Sequence, residues 1–191
     1  MSCDYSVDPA TGLIAPASQC PSPNQDERPA GTSLDLIVIH CISLPPGEYG
    51  GDFIERFFCN RLPREAHPYF DEIGDLTVSS HLLLKRDGSL VQFVPFGRRA
   101  WHAGASSYLG RERCNDFSVG IELAGTDTSP FEDAQYLALT AVIAALGGAY
   151  PSLSGAPVVG HEHIAPGRKT DPGPCFDWSR LECAATMPKD N

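Results

Sequence analysis

Between Gly160 and Pro174 the sequence reads GHEHIAPGRKTDPGP, which sets His161, His163 and Asp171 around the basic pair Arg168–Lys169. These ligand types suit a borderline-soft divalent cation, zinc first. Pro166 and Pro172 each remove a backbone donor and fix φ, so the stretch reads as a loop, not a helix, and as too polar for core. It follows the apolar pair Val158–Val159. Functional residues gather on such irregular segments when a rigid element holds them.

A catalytic zinc takes three protein ligands and keeps a fourth position for water. Two of the six histidines close apolar runs that read as strands: His40 after LDLIVI (34–39) and His161 after PVVG. Strand ends in a layered α/β domain converge on one edge, where sites form. Asp171 can fold back as the third ligand. Spacing alone leaves His163 open as well, because residues two apart in an extended chain point the same way.

Water on zinc becomes nucleophilic near neutral pH but still needs a group to move its proton. Glu122 lies in FSVGIELA (117–124), where Phe117, Val119, Ile121 and Leu123 share one face and Ser118, Gly120 and Glu122 the other. The small neighbours leave room beside the carboxylate for metal, water or substrate. Lys169, two residues before Asp171, has the charge to stabilise an oxyanion. Trp101, His102 and the segment Arg111–Asp116 read as a substrate wall, since Trp stacks on sugar faces and Arg pairs with carboxylates. The ordinary alternatives are a solvated Glu122, a surface Lys169 and a buried structural Trp101.

The elements that must position these residues follow from period and punctuation. Residues 1–33, rich in Pro, Ser and polar residues, read as an irregular N-terminal arm; 34–183 form the domain and 184–191 a tail. LDLIVI is apolar on both faces apart from Asp35, as in an interior strand. Asp52 can cap a helix carrying Phe53, Ile54, Phe57 and Phe58. The segment 60–75 has no clean period. HLLL and LVQFV (80–94) flank Asp87–Gly88 as a hairpin. A helix over 130–146 is expected, capped by Ser129 with Glu132, stopped by Gly147–Gly148, and burying Tyr136, Leu139, Ile143 and Leu146. Together these predict a single α/β (α+β) domain, with a central mixed sheet flanked by helices on both faces.

The 191 residues carry 24 acidic and 14 basic side chains, a net −10, which argues against nucleic acid or an anionic membrane as partner. Six of the basic residues (Arg98, Arg99, Arg111, Arg113, Arg168 and Lys169) fall in the segments just described. No targeting segment and no run of about twenty apolar residues is visible, so a cytoplasmic protein is expected. Seven cysteines without a CxxC pair are expected as free, mostly buried thiols.

VIHCISLPPGEYGG (38–51), RAWHAG (99–104), GRERCNDFSVGIELAGTD (110–127), DAQY (133–136) and IAPGRKTDPGPCFDWSR (164–180) resemble the AmpD-type zinc N-acetylmuramoyl-L-alanine amidases. The resemblance runs from about residue 16 to 181. The wider fold family includes phage lysozyme-type amidases and peptidoglycan recognition proteins. Carried over residue by residue, the resemblance implies one zinc per chain on His40, His161 and Asp171. It implies catalysis by Glu122 and Lys169, and substrate binding through Arg113 and Arg168, with Trp101, His102 and Cys41 lining the site. The implied activity is cytoplasmic hydrolysis, by a monomer, of the amide between (1,6-anhydro-)N-acetylmuramic acid and L-alanine in muropeptide recycling, with an effect on β-lactamase induction. The sequence departs from the family at Cys41 (usually Asn), at His163 (usually Asp) and at Thr77 (Arg in some members). These positions concern substrate contacts, not the metal triad.

Two other classes fit parts of the pattern. A non-catalytic peptidoglycan-recognition module would have lost metal ligands, and all three are present. Two histidines and a carboxylate also suit a non-haem iron oxygenase. The carboxylate coming last in the chain and the spare base Glu122 favour hydrolysis.

Overall fold

The computed structural model describes residues 4–181. Cys3, Cys183 and the expected tail 184–191 lie outside the described residues. Residues 4–30 are woven into the fold, unlike the irregular arm expected. β1 (Ser6–Asp8) and β2 (Leu13–Ala15) form an antiparallel hairpin that buries Ile14. β3 (Ser18–Gln19) and β4 (Gln25–Glu27) each add to a strand far along the chain. Pieces of two or three residues show no periodicity, so the sequence gives no sign of them.

β5 (Leu36–Ile42) runs through the middle of the molecule, with Leu36 to Ile39 fully buried, as its two-faced apolar pattern requires. Two short helices follow, α1 (Phe53–Phe58) and α2 (Pro68–Ile73). Asp52 takes the N-cap position of α1 without a capping side-chain bond; its carboxylate pairs with Arg56 at 2.8 Å. β6 (Leu82–Leu84) and β7 (Leu90–Gln92) are the expected hairpin, turning at Gly88 with φ +81°. β8 (Arg98–Ala100) pairs with β4, and β9 (Ser107–Tyr108) pairs with β10 (Arg111–Glu112). β11 (Ser118–Ala124) is buried throughout. α3 (Asp133–Ala149), β12 (Val158–Gly160) and the single turn α4 (His161–Ile164) complete the chain.

The main sheet has the order β12-β5-β11-β6-β7-β3, mixed as expected, with β12, β5, β11 and β6 parallel. Helix α3 covers one face: Tyr136, Leu139, Val142 and Leu146 pack on Ile37, Ile39, Val119, Ile121 and Leu123. On the other face, Phe57, Phe58 and Phe70 of α1 and α2 meet Leu83, Val91 and Phe93. Leu36 and Val38 there meet Ala103, Cys114, Phe117 and Ile164.

The ends of α3 differ from expectation. Glu132, not Ser129, is its N-cap, and the Glu132 N–H donates to Gln135 Oε1 at 3.0 Å. Gly147 and Gly148 do not stop the helix, which runs on to Ala149. Ile143 is only partly buried, whereas Ala138 and Val142 join the stripe. Cys20, Cys41, Cys59, Cys114 and Cys175 are free thiols. No helix among the described residues is long and apolar enough to cross a membrane.

Candidate active site

Parallel register brings the site together. Glu122 on β11 pairs with His40 on β5 and with Leu83 on β6, while Gly160 at the end of β12 pairs with Ile39. The next residue, His161, therefore continues the row past His40. This row lies on the face away from α3.

The loop that supplies Asp171 is strapped down. Glu162 N–H donates to the Asp171 carbonyl at 3.0 Å, and Thr170 Oγ1 donates to Asp127 Oδ2 at 2.8 Å. Gly173, with φ +85°, lies so close to Asp127 that a Cβ would come within 2.3 Å of its carbonyl oxygen. A side chain there would push the loop off and carry Asp171 away.

His40 Nδ1 lies 3.0 Å from His161 Nδ1 and 3.0 Å from Asp171 Oδ2, and His161 Nδ1 lies 3.1 Å from the same oxygen. Two imidazole nitrogens and one carboxylate oxygen thus face a single point. His40 and His161 are buried and Asp171 half-buried. The remaining nitrogen of each histidine is engaged elsewhere: His161 Nε2–H donates to the Ala103 carbonyl at 3.1 Å, and His40 Nε2 meets His102 Nδ1 at 2.9 Å.

Burial lowers His40 to about 4, against the opposing pull of the adjacent Asp171 carboxylate, so its imidazole is neutral. Burial alone would raise Asp171, but the close approach of the His161 and His40 rings outweighs it and holds the carboxyl below its usual range. Neutral imidazole beside ionised carboxylate is the state a divalent metal requires. The donor set, its burial and its protonation fit a zinc ion.

Glu122 is buried, and its Oε2 has no hydrogen-bond partner. Burial first, then repulsion from Asp171, raises its pKa well above the ordinary carboxyl value, with Lys169 opposing. The room that Gly120 leaves beside Glu122 is not open: the His102 ring fills it, within 2.5 Å of where a Cβ would stand.

The triad opens into a cavity of about 440 Å³. Its walls include Cys41, Trp101, His102, Glu122 and Lys169 with the three candidate ligands, and also Phe57, Tyr69 and Asp127. Arg113 and Arg168 do not line it. They border a neighbouring groove with Ser106, Glu112 and Pro166. Arg168 turns one nitrogen onto the carbonyls of Ala103 and Ala105, 2.7 Å from each. Arg113, in the left-handed region at φ 62°, is 69% exposed and lies 3.2 Å from Asp116. Arg98, Arg99 and Arg111 are committed to Glu27, to Asp26 and Asp116, and to Asp35.

His163 is not in the triad. The chain after Gly160 turns into α4, so residues two apart point to different sides, correcting the expectation of a loop without helix. The Gly160 N–H donates to His163 Nδ1 at 2.8 Å, and the ring leans on Trp178. Nor is the stretch free of core, since His161 and Ile164 are both buried.

Sequence reasoning missed Arg28 and, within the segment 111–116, the positioning role of Asn115. Asn115 Oδ1 accepts from the His102 and Ala103 N–H groups at 3.1 and 2.8 Å, fixing the wall that carries His102. Arg28 donates to the carbonyls of Phe96, Asn115, Asp116 and Ser118 at 2.9–3.2 Å. An arginine in a polar N-terminal segment carries no local sign of such a role.

Residues 30–174 match the N-acetylmuramoyl-L-alanine amidase family. The chain is 53% identical over 179 residues to the 1,6-anhydro-N-acetylmuramyl-L-alanine amidase AmpD of Enterobacter cloacae, covering 94% of this chain and 95% of that one. It superposes on the crystal structure of a selenomethionine AmpD derivative with a TM-score of 0.90, at 54% identity, covering 94% of this chain and 99% of that one. A more distant structure is the N-acetylmuramyl-L-alanine amidase AmiD from E. coli, solved with its substrate anhydro-N-acetylmuramic acid-L-Ala-D-γ-Glu-L-Lys. Its TM-score is 0.57 at 26% identity, covering 84% of this chain and 65% of that one. On the match over 30–174 and the near-complete alignment with AmpD, the chain belongs to the N-acetylmuramoyl-L-alanine amidase family.

Proposed function

We propose that the protein hydrolyses the amide between (1,6-anhydro-)N-acetylmuramic acid and the L-alanine of a stem peptide, with one zinc ion held by His40, His161 and Asp171. The observation that carries this reading is the convergence of two Nδ1 atoms and one carboxylate oxygen beside an unpartnered, buried Glu122. AmpD and AmiD, by their names, act on this bond.

Zinc, when bound, polarises a carbonyl and lowers the pKa of a water it holds. The chain's own residues do the rest. Glu122 takes the water's proton as the oxygen–carbon bond forms and returns it to the alanine nitrogen as the carbon–nitrogen bond breaks. Burial raises the pKa of Glu122, which favours its handing a proton on, and a cation held by the triad would oppose that rise and favour its accepting one. Lys169 faces the charge that develops on the carbonyl oxygen. Trp101 offers a ring to the sugar, and Cys41 lines the same cavity. Arg113, exposed on the adjoining groove, pairs with stem-peptide carboxylates, while Arg168 supports the 103–105 segment from behind and adds positive charge there.

Such an enzyme works on muropeptides in the cytoplasm as a monomer. By setting their level it affects β-lactamase induction. Mass spectrometry of a defined anhydro-muropeptide after incubation, with and without a chelator, tests the reaction. The expected products are the free anhydro-sugar acid and the intact stem peptide, only without chelator. Cleavage elsewhere, or cleavage indifferent to the chelator, overturns the proposal.

A further inference from the structure

We infer that His102 is a positioning residue: with Ser118 it forms a relay that fixes the tautomer of His40 and aims its Nδ1 lone pair at the metal position. The inference rests on the triad as a metal site. Its starting point is a contact that wall-lining does not explain, the 2.9 Å approach of His102 Nδ1 to His40 Nε2.

The direction of every hydrogen bond in the relay follows from one fixed acceptor. Ser118 Oγ lies 2.6 Å from the carbonyl oxygen of Cys114, which can only accept, so the hydroxyl hydrogen points there. The oxygen of Ser118 is then free to accept, and His102 Nε2 lies 3.2 Å away. His102 therefore carries its hydrogen on Nε2 and a lone pair on Nδ1. Across the 2.9 Å contact, His40 Nε2 must donate, which leaves the lone pair of His40 on Nδ1. That is the atom facing His161 Nδ1 and Asp171 Oδ2. His161 is set in the same sense by one bond, from its Nε2 to the Ala103 carbonyl. Both imidazoles thus take their tautomer from the backbone, one directly and one through two side chains.

The fold is built to hold this relay. Ser118 and Gly120 lie on the same face of β11 as Glu122, and the missing side chain at Gly120 is the space the His102 ring occupies. Asn115 pins the His102 backbone from behind. A ring placed only to touch substrate needs neither the cradle nor the serine.

Outer-shell partners of this kind change metal affinity by roughly 10–100-fold when removed. Zinc affinity is measured by competition with a chromophoric chelator on the full chain, alongside kcat and KM. His102→Leu and Ser118→Ala are each expected to weaken zinc binding, His102→Leu by roughly 10–100-fold and Ser118→Ala by less. His102→Asn can place an amide oxygen near the lost Nδ1 and is expected to recover most of the affinity. Independently, the histidine ¹⁵N shifts of the metal-free wild type should show His102 protonated on Nε2 and His40 on Nε2. Wild type that binds no zinc would remove the metal site itself. Zinc-binding wild type with unchanged affinity in His102→Leu and a raised KM would make His102 a substrate contact and overturn the relay. So would ¹⁵N shifts placing the His102 proton on Nδ1, whatever the variants' folding.

Discussion

Glu122 and His40 are paired residues on adjacent parallel strands, on the face turned away from α3. Parallel pairing makes the row continuous: His40, Glu122 and Leu83 follow one another across three strands, and His161 extends it from just past the end of β12. A buried carboxylate with no partner, set beside a neutral imidazole, is costly unless function needs it. The row also means that His40 and Glu122 are fixed by strand pairing, and that His161 is placed by the strand it directly follows. Of the triad, Asp171 comes from irregular chain, and the bonds at Glu162 and Thr170 restrain it.

The first prediction concerns ligand identity. His40→Ala, His161→Ala and Asp171→Ala should each lower zinc affinity by more than the roughly 10–100-fold of an outer-shell change. His163→Ala should keep its zinc, because that ring bonds to Gly160 N–H and leans on Trp178. Metal content after dialysis distinguishes them. An empty His163→Ala and a full His161→Ala would exchange the two assignments.

Much of this was legible in the sequence where period and punctuation are local. β5 announces itself by the apolar run 34–39, β11 by the alternation over 117–124, and the β6–β7 turn by Asp87–Gly88. The ends of α3 were not legible, because Ser129 spends its hydroxyl on Thr126 and Tyr49 instead of the helix. Glu132 and Gln135 cap in its place. His163 failed because one turn of helix, too short to show a period, replaced an extended chain. The space above Gly120 looked open from its neighbours, yet a histidine eighteen residues earlier fills it. Contacts of that kind are tertiary and leave no mark in local sequence.

Arg28 should matter to stability more than any surface arginine. Its guanidinium serves four backbone carbonyls, of which those of Phe96 and Ser118 belong to fully buried residues. Arg28→Ala would strand them, at about 1–3 kcal/mol for each buried acceptor left unpaired. A loss of at least about 2 kcal/mol in urea denaturation is expected, and Arg28→Lys should not restore it, since an ammonium lacks the planar fork. A change below 0.5 kcal/mol, roughly the scatter of surface substitutions, would show that water replaces the arginine freely.

Acid should weaken the metal-free protein through its buried histidines. Burial lowers His40 from 6.5 to about 4, and lowers His81 and His102 well below the usual value. As pH falls, the unfolded chain binds protons first, so this stability is complete above about pH 6.5 and is lost toward pH 4. For His40 alone the whole window is worth ~3 kcal/mol. Glu122 acts in the opposite sense: its raised pKa means that falling pH restores stability. The urea midpoint of chelator-treated Glu122→Gln should therefore drop between pH 7.5 and 5, and more steeply than that of wild type. A flat midpoint in Glu122→Gln would mean that the histidines are solvated.

The last prediction separates Glu122 from the metal. Zinc in the triad can activate water and polarise the carbonyl, but it cannot carry a proton to the departing nitrogen. An amine leaves poorly without that proton, so the carrier matters as much as the nucleophile. Glu122→Gln keeps the shape of the side chain and removes its basicity. Because Glu122 contacts none of His40, His161 and Asp171 by hydrogen bond, zinc content should stay near that of wild type. Substrate affinity should change little, since the substituted group makes no ground-state contact with the sugar or peptide in this reading. The kcat should fall by at least ~10²-fold, as for loss of a general acid–base. The metal-free variant should also be more stable than wild type at pH 8, because a neutral amide replaces a carboxyl that burial makes costly to ionise. Full zinc with wild-type turnover in Glu122→Gln would place the proton transfer on another group. A variant without zinc would instead make Glu122 part of the metal site.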